Sequence, residues 1–343
     1  MRNRALMITA PEVVEWVDIP VARPDAGEVL VRPLLVGICG TDYHFYTGES
    51  AYLQKGFTQF PIRFGHEWVG RVEAVGDRVD SHWLGSRVTS QNIVACGQCQ
   101  TCRAGTYNLC PHRQERGVRG RLPGAACAYI AVPVSELVVV PDALSDEGVV
   151  TAEPCITVLH AFERTGLQPG ESLAVIGAGT LGLAATQIAK AMGCWVTVVD
   201  PVDVSRAAAL SAGADLAISP DEVVSGMGGN AHVIVESSGS PRVGPAMASL
   251  AQEGTRVGVI GIPGSPTSLD LADVVIKGVS LYGVLGGPHL LANALAVVAA
   301  GMVNPGLLID GVFPADESVA AFGRMAASGR PRPKVMIRLT SVQ

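Results

Sequence analysis

The feature that most constrains this chain is a glycine-rich turn between a strand-like run and a helix-like run. The apolar segment Ser172–Ile176 is followed at once by a Gly-x-Gly-x-x-Gly pattern at residues 177–182, and then by an alanine-rich stretch. The chain has 40 glycines in 343 residues, so the pattern gains its specificity from its position after a strand and before a helix. In that position it predicts a parallel βαβ unit that binds a dinucleotide.

Each glycine of the turn has its own task. Gly177 permits the tight turn, Gly179 lets the backbone approach a pyrophosphate, and Gly182 lets the helix pack closely against the strand. Thr180 and Leu181 open the helix, whose amino end supplies free N–H groups and a partial positive charge to the phosphates. We predict that these five residues bind the cofactor.

Asp200 ends the next strand-like run, about twenty residues beyond the glycines. A carboxylate at this point accepts hydrogen bonds from both ribose hydroxyls and repels a 2′-phosphate. Pro201 follows, where a site that prefers NADP tends to place an arginine. Asp200 and Pro201 together favour NAD over NADP. The alternative is that Asp200 only caps a turn or a helix.

The pattern of strand-like and helix-like runs changes near residue 150. From residue 172 to about 286, six short β-branched runs alternate with alanine-rich runs, which predicts a doubly wound parallel sheet with helices on both faces. The residues before this show short strand-like runs between Gly, Pro and Asp turns, which indicates an irregular, mostly antiparallel β domain. We assign residues 1–155 to that domain, with residues 290–343 packing back on it, and residues 156–289 to the nucleotide-binding domain.

Four of the eight cysteines fall within one short segment, at Cys96, Cys99, Cys102 and Cys110. Four thiolates this closely spaced can surround one zinc ion in tetrahedral geometry, and a closed four-cysteine shell makes a structural site. An iron–sulfur cluster has a similar ligand count with different gaps, and two disulfides are a further alternative. The spacing favours structural zinc.

Composition excludes several classes of function. The chain has 25 Lys and Arg against 31 Asp and Glu, a net charge of −6, and no basic tract, which argues against a nucleic-acid partner. No apolar run reaches the roughly 18–20 residues that span a bilayer, and the amino terminus lacks a secretory signal pattern. We expect a cytoplasmic protein with a small-molecule substrate and no membrane partner.

Three further segments carry reactive side chains, and each by itself has an ordinary structural explanation. They read GICGTDYH at residues 37–44, GHE at residues 65–67 and AEP at residues 152–154. Taken in order with the four-cysteine segment and the glycine turn, they resemble the zinc-dependent medium-chain dehydrogenase/reductase family over essentially the whole chain. The Glu-Pro pair is similar to the sorbitol, threonine and polyol dehydrogenase branch.

This resemblance implies a GroES-like catalytic domain beside a Rossmann domain. It also implies that Cys39, His66 and Glu153 bind a catalytic zinc, with Glu67 close enough to approach the metal. Three protein ligands leave a fourth position for water or substrate oxygen, where zinc acts as a Lewis acid. Two zinc ions per chain are therefore expected, one catalytic and one structural.

The resemblance also assigns a proton path and a cofactor contact. Thr41 takes the hydroxyl proton of the substrate and passes it, through the ribose hydroxyls, towards His44. Arg206 is placed near the adenosine of the cofactor.

The resulting functional prediction is an NAD-dependent zinc alcohol dehydrogenase. It oxidises a secondary alcohol of a polyol, sugar, amino sugar or aminocyclitol by hydride transfer, or reduces the matching ketone. Aromatic and polar residues in the segment 43–64 should line the substrate cleft and favour such substrates over a plain aliphatic alcohol. The alternatives are an L-threonine 3-dehydrogenase-like enzyme, a zinc-free quinone or enone reductase of the same fold, and a non-catalytic nucleotide-binding protein. A homodimer or homotetramer is expected through edge pairing of the last strand, residues 279–284.

Overall fold

An antiparallel sheet is built mainly by the first part of the chain. The computed structural model describes residues 3–225, 229–340 and 342. The elements before residue 140 are β1 (Asn3–Ala10), β2 (Val13–Ile19), β3 (Glu28–Ile38), α1 (Gly40–Thr47), α2 (Ala51–Gln54), β4 (Trp68–Val75), β5 (Arg87–Ser90), β6 (Ile93–Val94), α3 (Gln100–Arg103), β7 (Gln114–Glu115), β8 (Ile130–Pro133) and β9 (Leu137–Val139). Strands β3, β4, β5 and β9 are antiparallel neighbours in that order, and β8 also pairs with β3. Two small ribbons, β1 with β2 and β6 with β7, flank this sheet.

A long helix, α4 (Asp146–Thr165), follows the antiparallel sheet. Its first turn is capped by Ser145, whose hydroxyl accepts a hydrogen bond of 3.1 Å from the backbone N–H of Gly148. The helix is largely buried and packs against β3 and β4 of the first sheet. It also packs against a helix (Thr180–Ala191) and a strand (Ala251–Val259) of the second part of the chain. It therefore holds the two parts together along one shared core.

The second part of the chain alternates strands and helices. Its elements are β10 (Ser172–Ile176), α5 (Thr180–Ala191), β11 (Trp195–Val199), α6 (Asp203–Ser211), β12 (Leu216–Ile218), α7 (Pro220–Val224), β13 (Ala231–Glu236), α8 (Gly244–Leu250), β14 (Ala251–Val259), α9 (Leu271–Ile276) and β15 (Ser280–Gly283). The strands are parallel in the order β12-β11-β10-β13-β14-β15, which is the doubly wound order of a dinucleotide-binding sheet. The predicted fold class, an antiparallel β part beside a Rossmann part, is confirmed.

The tail returns to the first sheet. Its elements are α10 (Leu291–Ala299), β16 (Ile309–Pro314), α11 (Ser318–Ala326) and β17 (Lys334–Arg338). Strand β17 pairs antiparallel with β3, with Val335 opposite Ile38, and β16 pairs with β17. The sequence analysis did not predict β16, because Gly311 and Pro314 interrupt its apolar pattern. The domain boundaries placed at residues 155 and 290 stay predictions.

In residues 3–225, 229–340 and 342, no helix is both long enough and apolar enough to cross a bilayer.

Candidate active site and cofactor cleft

The end of β3 and the start of α1 bring together three of the predicted site residues. Ile38 is the last residue of β3, and Cys39 follows it as the N-cap of α1. The backbone N–H of Cys39 donates a hydrogen bond of 2.9 Å to Oδ2 of Asp42, which fixes the beginning of the helix. Thr41 in the first turn and His44 one turn later line the same small pocket. One short helix thus presents the predicted thiol and the predicted proton path.

Cys39 has two polar neighbours from the loop before β4. The ligand atoms of Cys39, His66 and Glu67 all lie within 4.8 Å of one another. His66 is 5% exposed and Glu67 is fully buried. A thiol, an imidazole and a carboxylate at this spacing form a donor set that suits zinc.

The His66 ring also lies beside a second carboxylate, that of Asp42. Nδ1 of His66 and Oδ1 of Asp42 are 3.7 Å apart, and neither atom has a hydrogen-bond partner among the described residues. Burial raises the pKa of Asp42 to about 6. Burial also acts to lower the pKa of His66, but the negative charges of Asp42, Cys39 and Glu153 outweigh it and hold the pKa well above its ordinary value.

These orphaned atoms test whether the site fits a metal. Buried polar groups normally have partners, and a histidine that binds a metal through one ring nitrogen is oriented by a carboxylate near the other. The arrangement of Cys39, His66 and Asp42 therefore fits a zinc ion. The sequence analysis missed Asp42 as an orienting group, although its position three residues after Cys39, within the helix-capping pattern, was a usable signal.

Glu153, the third ligand that the resemblance implies, is bonded to another residue. Its Oε1 accepts a hydrogen bond of 2.6 Å from Nδ2 of Asn92, a residue that the sequence analysis did not single out. Burial raises the pKa of Glu153 to about 7, although the nearby His66 opposes the shift. Among the described residues, Glu67 rather than Glu153 completes the group of ligand atoms within 4.8 Å. The role of Glu153 as a zinc ligand stays a prediction.

The four-cysteine segment forms a compact lobe around α3. Its sulfur atoms are 3.5 Å apart between Cys96 and Cys110, 3.4 Å between Cys99 and Cys102, 3.7 Å between Cys99 and Cys110, and 3.9 Å between Cys96 and Cys102. A tetrahedron with Zn–S bonds of about 2.3 Å has edges of about 3.8 Å, whereas a disulfide needs about 2.0 Å. The hydrogen bond between Cys99 and the Thr101 hydroxyl lowers the pKa of the Cys99 thiol, which favours the thiolate that zinc binds. The lobe fits one zinc ion and no disulfide.

The glycine turn lies at the carboxyl end of β10, beside a cavity of about 780 Å³. Gly177 has φ of +99°, and at Gly182 an added Cβ would overlap the carbonyl oxygen of Gly177. At Gly179, in contrast, an added Cβ would meet no atom within 4 Å, because this side of the turn opens on the cavity. Thr180 and Leu181 begin helix α5 beside it. The cavity has the size of a ligand site, and its open backbone face fits a pyrophosphate.

Asp200 lines the same cavity. Its Oδ2 accepts a hydrogen bond of 2.8 Å from the N–H of Ala178, and its Oδ1 accepts one of 2.9 Å from the N–H of Val202. The carboxylate is therefore fixed between the glycine turn and the start of α6. Arg206 is held beside it, because its guanidinium donates to the backbone oxygen of Asp200 at 2.8 Å and to the carboxylate of Asp203.

Comparison with known proteins identifies the family of the chain. Two family models match the chain, the alcohol dehydrogenase GroES-like domain at residues 25–142 and the zinc-binding dehydrogenase at residues 180–300. The L-threonine 3-dehydrogenase of Anaeromyxobacter dehalogenans is 33% identical over 293 residues, which cover 82% of this chain and 84% of the relative. The chain belongs to the zinc-dependent medium-chain dehydrogenase/reductase family. This dehydrogenase is also 28% identical to the sorbitol dehydrogenase of Bacillus subtilis, over 97% of its own length and 96% of the relative's.

Solved structures show the same fold. A short chain alcohol dehydrogenase from Escherichia coli CFT073, complexed with NADH, superposes with a TM-score of 0.88 at 25% identity, over 98% of this chain and 99% of that one. A protein from Sinorhizobium meliloti 1021, described as a zinc-binding dehydrogenase and bound to NADP, gives the same TM-score, identity and coverage. The predicted family and the predicted class of enzyme, an alcohol dehydrogenase-like oxidoreductase, are confirmed.

Proposed function

We propose that this dehydrogenase uses NAD and zinc to oxidise a secondary alcohol of a polyol, sugar, amino sugar or aminocyclitol, or to reduce the matching ketone. One observation carries the proposal: Cys39, His66 and Glu67 place three metal-binding atoms within 4.8 Å of one another, and Cys39 is the N-cap of the helix that also presents Thr41 and His44. Zinc bound there supplies a Lewis acid for the substrate oxygen. Cys39 and His66, with Glu153 as the proposed third ligand, would hold it.

The chain's own residues provide a route for the proton. Thr41 and His44 line one small pocket, to which Ile262 and Gly264 of the nucleotide-binding part also contribute. Partial desolvation by the surrounding protein lowers the pKa of His44 below its ordinary value. The residue is nevertheless exposed to solvent. A neutral imidazole at neutral pH can accept a proton, and its exposed position lets that proton pass to water. Thr41 is the residue proposed to receive the substrate proton first.

The proposed preference for NAD rests on Asp200. Its carboxylate stands at the end of β11 in the cavity wall, and Pro201 leaves no basic group directly after it. A negative charge fixed at this position disfavours a 2′-phosphate.

Three arginines also contribute to the wall of this cavity. They are Arg242, Arg330 and Arg332, and within the described residues none of the three has a carboxylate within 4 Å of its guanidinium. Arg330 and Arg332 lie in the loop between α11 and β17, which lines the cavity together with the glycine turn. Three guanidinium groups without acidic partners complement the two negative charges of a pyrophosphate.

A polar substrate is supported by the wall next to Thr41. Tyr52 lines that pocket, and its hydroxyl donates a hydrogen bond of 2.9 Å to Oε2 of Glu115, whose Oε1 accepts one of 2.9 Å from Nε of Arg113. This network fixes the side chain of Tyr52 in the wall of the pocket that Thr41 also lines. Sorbitol and L-threonine, for which relatives are named, both carry a secondary hydroxyl group beside other polar groups. An L-threonine 3-dehydrogenase-like activity is therefore the second candidate.

A homo-oligomer and a cytoplasmic location complete the proposal. Strand β15 is the edge of the parallel sheet, and Leu281 on it is 40% exposed. Helix α9 beside it exposes Leu271, Val275 and Ile276, so an apolar surface continues from the edge strand. All eight cysteines are free, which suits a reducing compartment.

The test is the change of nicotinamide absorbance with NAD against polyols, amino sugars, cyclitols, L-threonine and simple alcohols, with and without a zinc chelator. Chelator-sensitive reduction of NAD by one class of polyhydroxylated alcohol is the expected result. Cys39→Ala should abolish turnover and leave NADH binding intact, while Cys194→Ala, a buried cysteine of the nucleotide-binding part, should preserve turnover. Turnover that resists the chelator and survives Cys39→Ala would overturn the proposal.

A further inference from the structure

The guanidinium group of Arg119 is stacked on an aromatic ring and has no acidic partner. Its Cζ lies 4.3 Å from the centroid of the Phe57 ring, and Phe57 is 40% exposed. Within the described residues, no carboxylate lies within 4 Å of this guanidinium, and its side chain donates no hydrogen bond. Stacking uses the face of the guanidinium and leaves the N–H donors at its edge free. Arg119 is therefore held in place with its donors available.

Tyr52 connects this stacked arginine with the pocket of the proposed reaction. It lines that pocket together with Thr41, and its ring centroid is 6.1 Å from that of Phe57, in an edge-on arrangement. Burial and the neighbouring Glu115 raise the pKa of the Tyr52 phenol, and the positive charge of Arg119 acts against this shift. The charge of Arg119 thus acts on a residue in the wall of the pocket.

The carboxylate that comes closest to Arg119 along the chain is already neutralised. The backbone groups of Glu115 and Arg119 exchange two hydrogen bonds of 2.9 Å, so the two residues face each other across a short turn. Glu115 is buried, and its carboxylate oxygens accept hydrogen bonds from Nε of Arg113 and from the hydroxyl of Tyr52. Its charge is balanced by Arg113, which leaves the charge of Arg119 in excess.

Two further cations belong to the same pair of segments. The N–H of Gly120 donates a hydrogen bond of 3.0 Å to the backbone oxygen of Phe57 and joins the segments at this point. Lys55 precedes Phe57 by two positions, and Arg121 follows Gly120 directly. Both are exposed, and within the described part of the chain neither has a carboxylate within 4 Å of its charged group. In a chain of net charge −6, this concentration of uncompensated positive charge is a local feature that attracts anions.

We propose that Arg119 is a specificity-determining residue that binds an anionic group, a carboxylate or a phosphate, at the end of the substrate remote from the reacting hydroxyl. The substrate is then a polyhydroxylated acid or a sugar or polyol phosphate rather than a neutral polyol. A guanidinium with free edge donors binds either anion through two parallel hydrogen bonds. Lys55 and Arg121 add positive potential around this site. The inference rests on the proposed function, because it presupposes that the hydroxyl group reacts beside Thr41.

The experiment measures kcat/KM with the full-length zinc enzyme and saturating NAD, on substrates that differ in charge alone as far as chemistry allows. One set is D-sorbitol, D-gluconate and D-sorbitol 6-phosphate, and a second is L-threoninol and L-threonine. The matching ketones are assayed with NADH. We expect the anionic member of a set to exceed its neutral counterpart by about tenfold or more in kcat/KM. The gluconate and phosphate arms show which of the two anions the site accepts.

A pair of matched variants tests whether Arg119 is responsible. Arg119→Gln keeps a hydrogen-bond donor and removes the charge, so KM for the anionic substrate should rise about tenfold or more with little change in kcat. kcat/KM for the neutral member should stay at the wild-type value, which also shows that the variant is folded. Arg78→Gln makes the same change at an exposed arginine in the turn after β4, at the end of that strand away from His66, and should alter neither value.

Two failures are distinguishable. If neither the neutral nor the anionic compounds are turned over with NAD or NADH, the proposed function is wrong, and the inference falls with it. If compounds are turned over but the neutral members react as well as the anionic ones, the proposed function stands and the anion site does not. Equal losses for both members in Arg119→Gln would likewise overturn the inference, because they would indicate damage to the pocket instead of recognition of charge.

Discussion

The glycine turn gives a pair of matched substitutions whose effects should differ in kind. In Gly182→Ala the new methyl group would overlap the carbonyl oxygen of Gly177 and lie 2.9 Å from its carbon and 3.0 Å from Oγ of Ser237. Two of these three atoms are backbone, so the helix must move away from β10. Overpacking of this kind costs roughly 1–3 kcal/mol. At about 2–4 °C of thermal midpoint per kcal/mol for domains of this size, the midpoint should fall by roughly 2–12 °C.

Gly179→Ala is the control with the same chemical change. A Cβ there meets no atom within 4 Å, and the residue's φ of −77° suits alanine, so the thermal midpoint of the free protein should stay within about 2 °C of the wild type. The methyl group would, however, project into the proposed pyrophosphate site, and the Kd for NADH should rise on the order of tenfold, about 1.4 kcal/mol. Differential scanning calorimetry and NADH fluorescence titration measure the two effects. Unchanged NADH affinity in Gly179→Ala, or unchanged stability in Gly182→Ala, would refute the reasoning.

Three further outcomes are expected. Cys99→Ser should remove one zinc equivalent per chain, as measured by atomic absorption, and lower the thermal midpoint. NADH binding should be kept, because the lobe lies outside the cofactor cavity. An unchanged zinc content would contradict the four-cysteine assignment. Asp200→Asn should raise the ratio of NADP affinity to NAD affinity roughly tenfold, because it removes the charge that faces a 2′-phosphate. Titration with both reduced cofactors measures this ratio, and an unchanged ratio would show that Asp200 has no such role. Burial acts to raise the pKa of Asp215, but its hydrogen bonds to Lys190 and to the N–H of Val196 lower it overall. Because the folded pKa lies below the unfolded value of about 4, this carboxylate stabilises the fold above that pH and its contribution is lost as pH falls through the folded pKa. Asp215→Asn should therefore flatten the decline of the thermal midpoint below about pH 4, and an unchanged acid limb would contradict this.

The parallel sheet could be predicted because its signals are local. Each of the six predicted strands is a β-branched run followed by a turn and a helix-like segment, and the observed strands match them closely. Strand β14 begins at Ala251, directly after helix α8, and Ala251 pairs with Ala231 of β13 across an irregularity in the register. Strand β16 was missed because Gly311 and Pro314 hide its pattern, and its pairing with β17 depends on a contact that no local pattern encodes.

The site was partly predictable for the same reason. Cys39, Thr41 and His44 share one helix, and His66 adjoins Glu67, so short motifs were enough to bring them into consideration. The residues that form hydrogen bonds with the site residues come from distant segments of the chain. Asn92 holds Glu153 across 61 positions, and such a pair becomes visible only when the fold brings the two elements together.

Lys334 is the clearest example of a residue that contacts the site but belongs to none of the sequence motifs that identify it. It lies 267 positions from Glu67, to which its ammonium group is bonded, and in the sequence it is one basic residue at the start of a short apolar strand. Its significance arises from the antiparallel pairing of β17 with β3, which places its ammonium group at the end of the strand that also delivers Cys39. A charged residue so completely buried is tolerated only where its partner is fixed beforehand, and here Gly37 and the backbone fix Glu67. The last strand of the chain is therefore required for the charge balance around Cys39 and His66 as well as for the sheet.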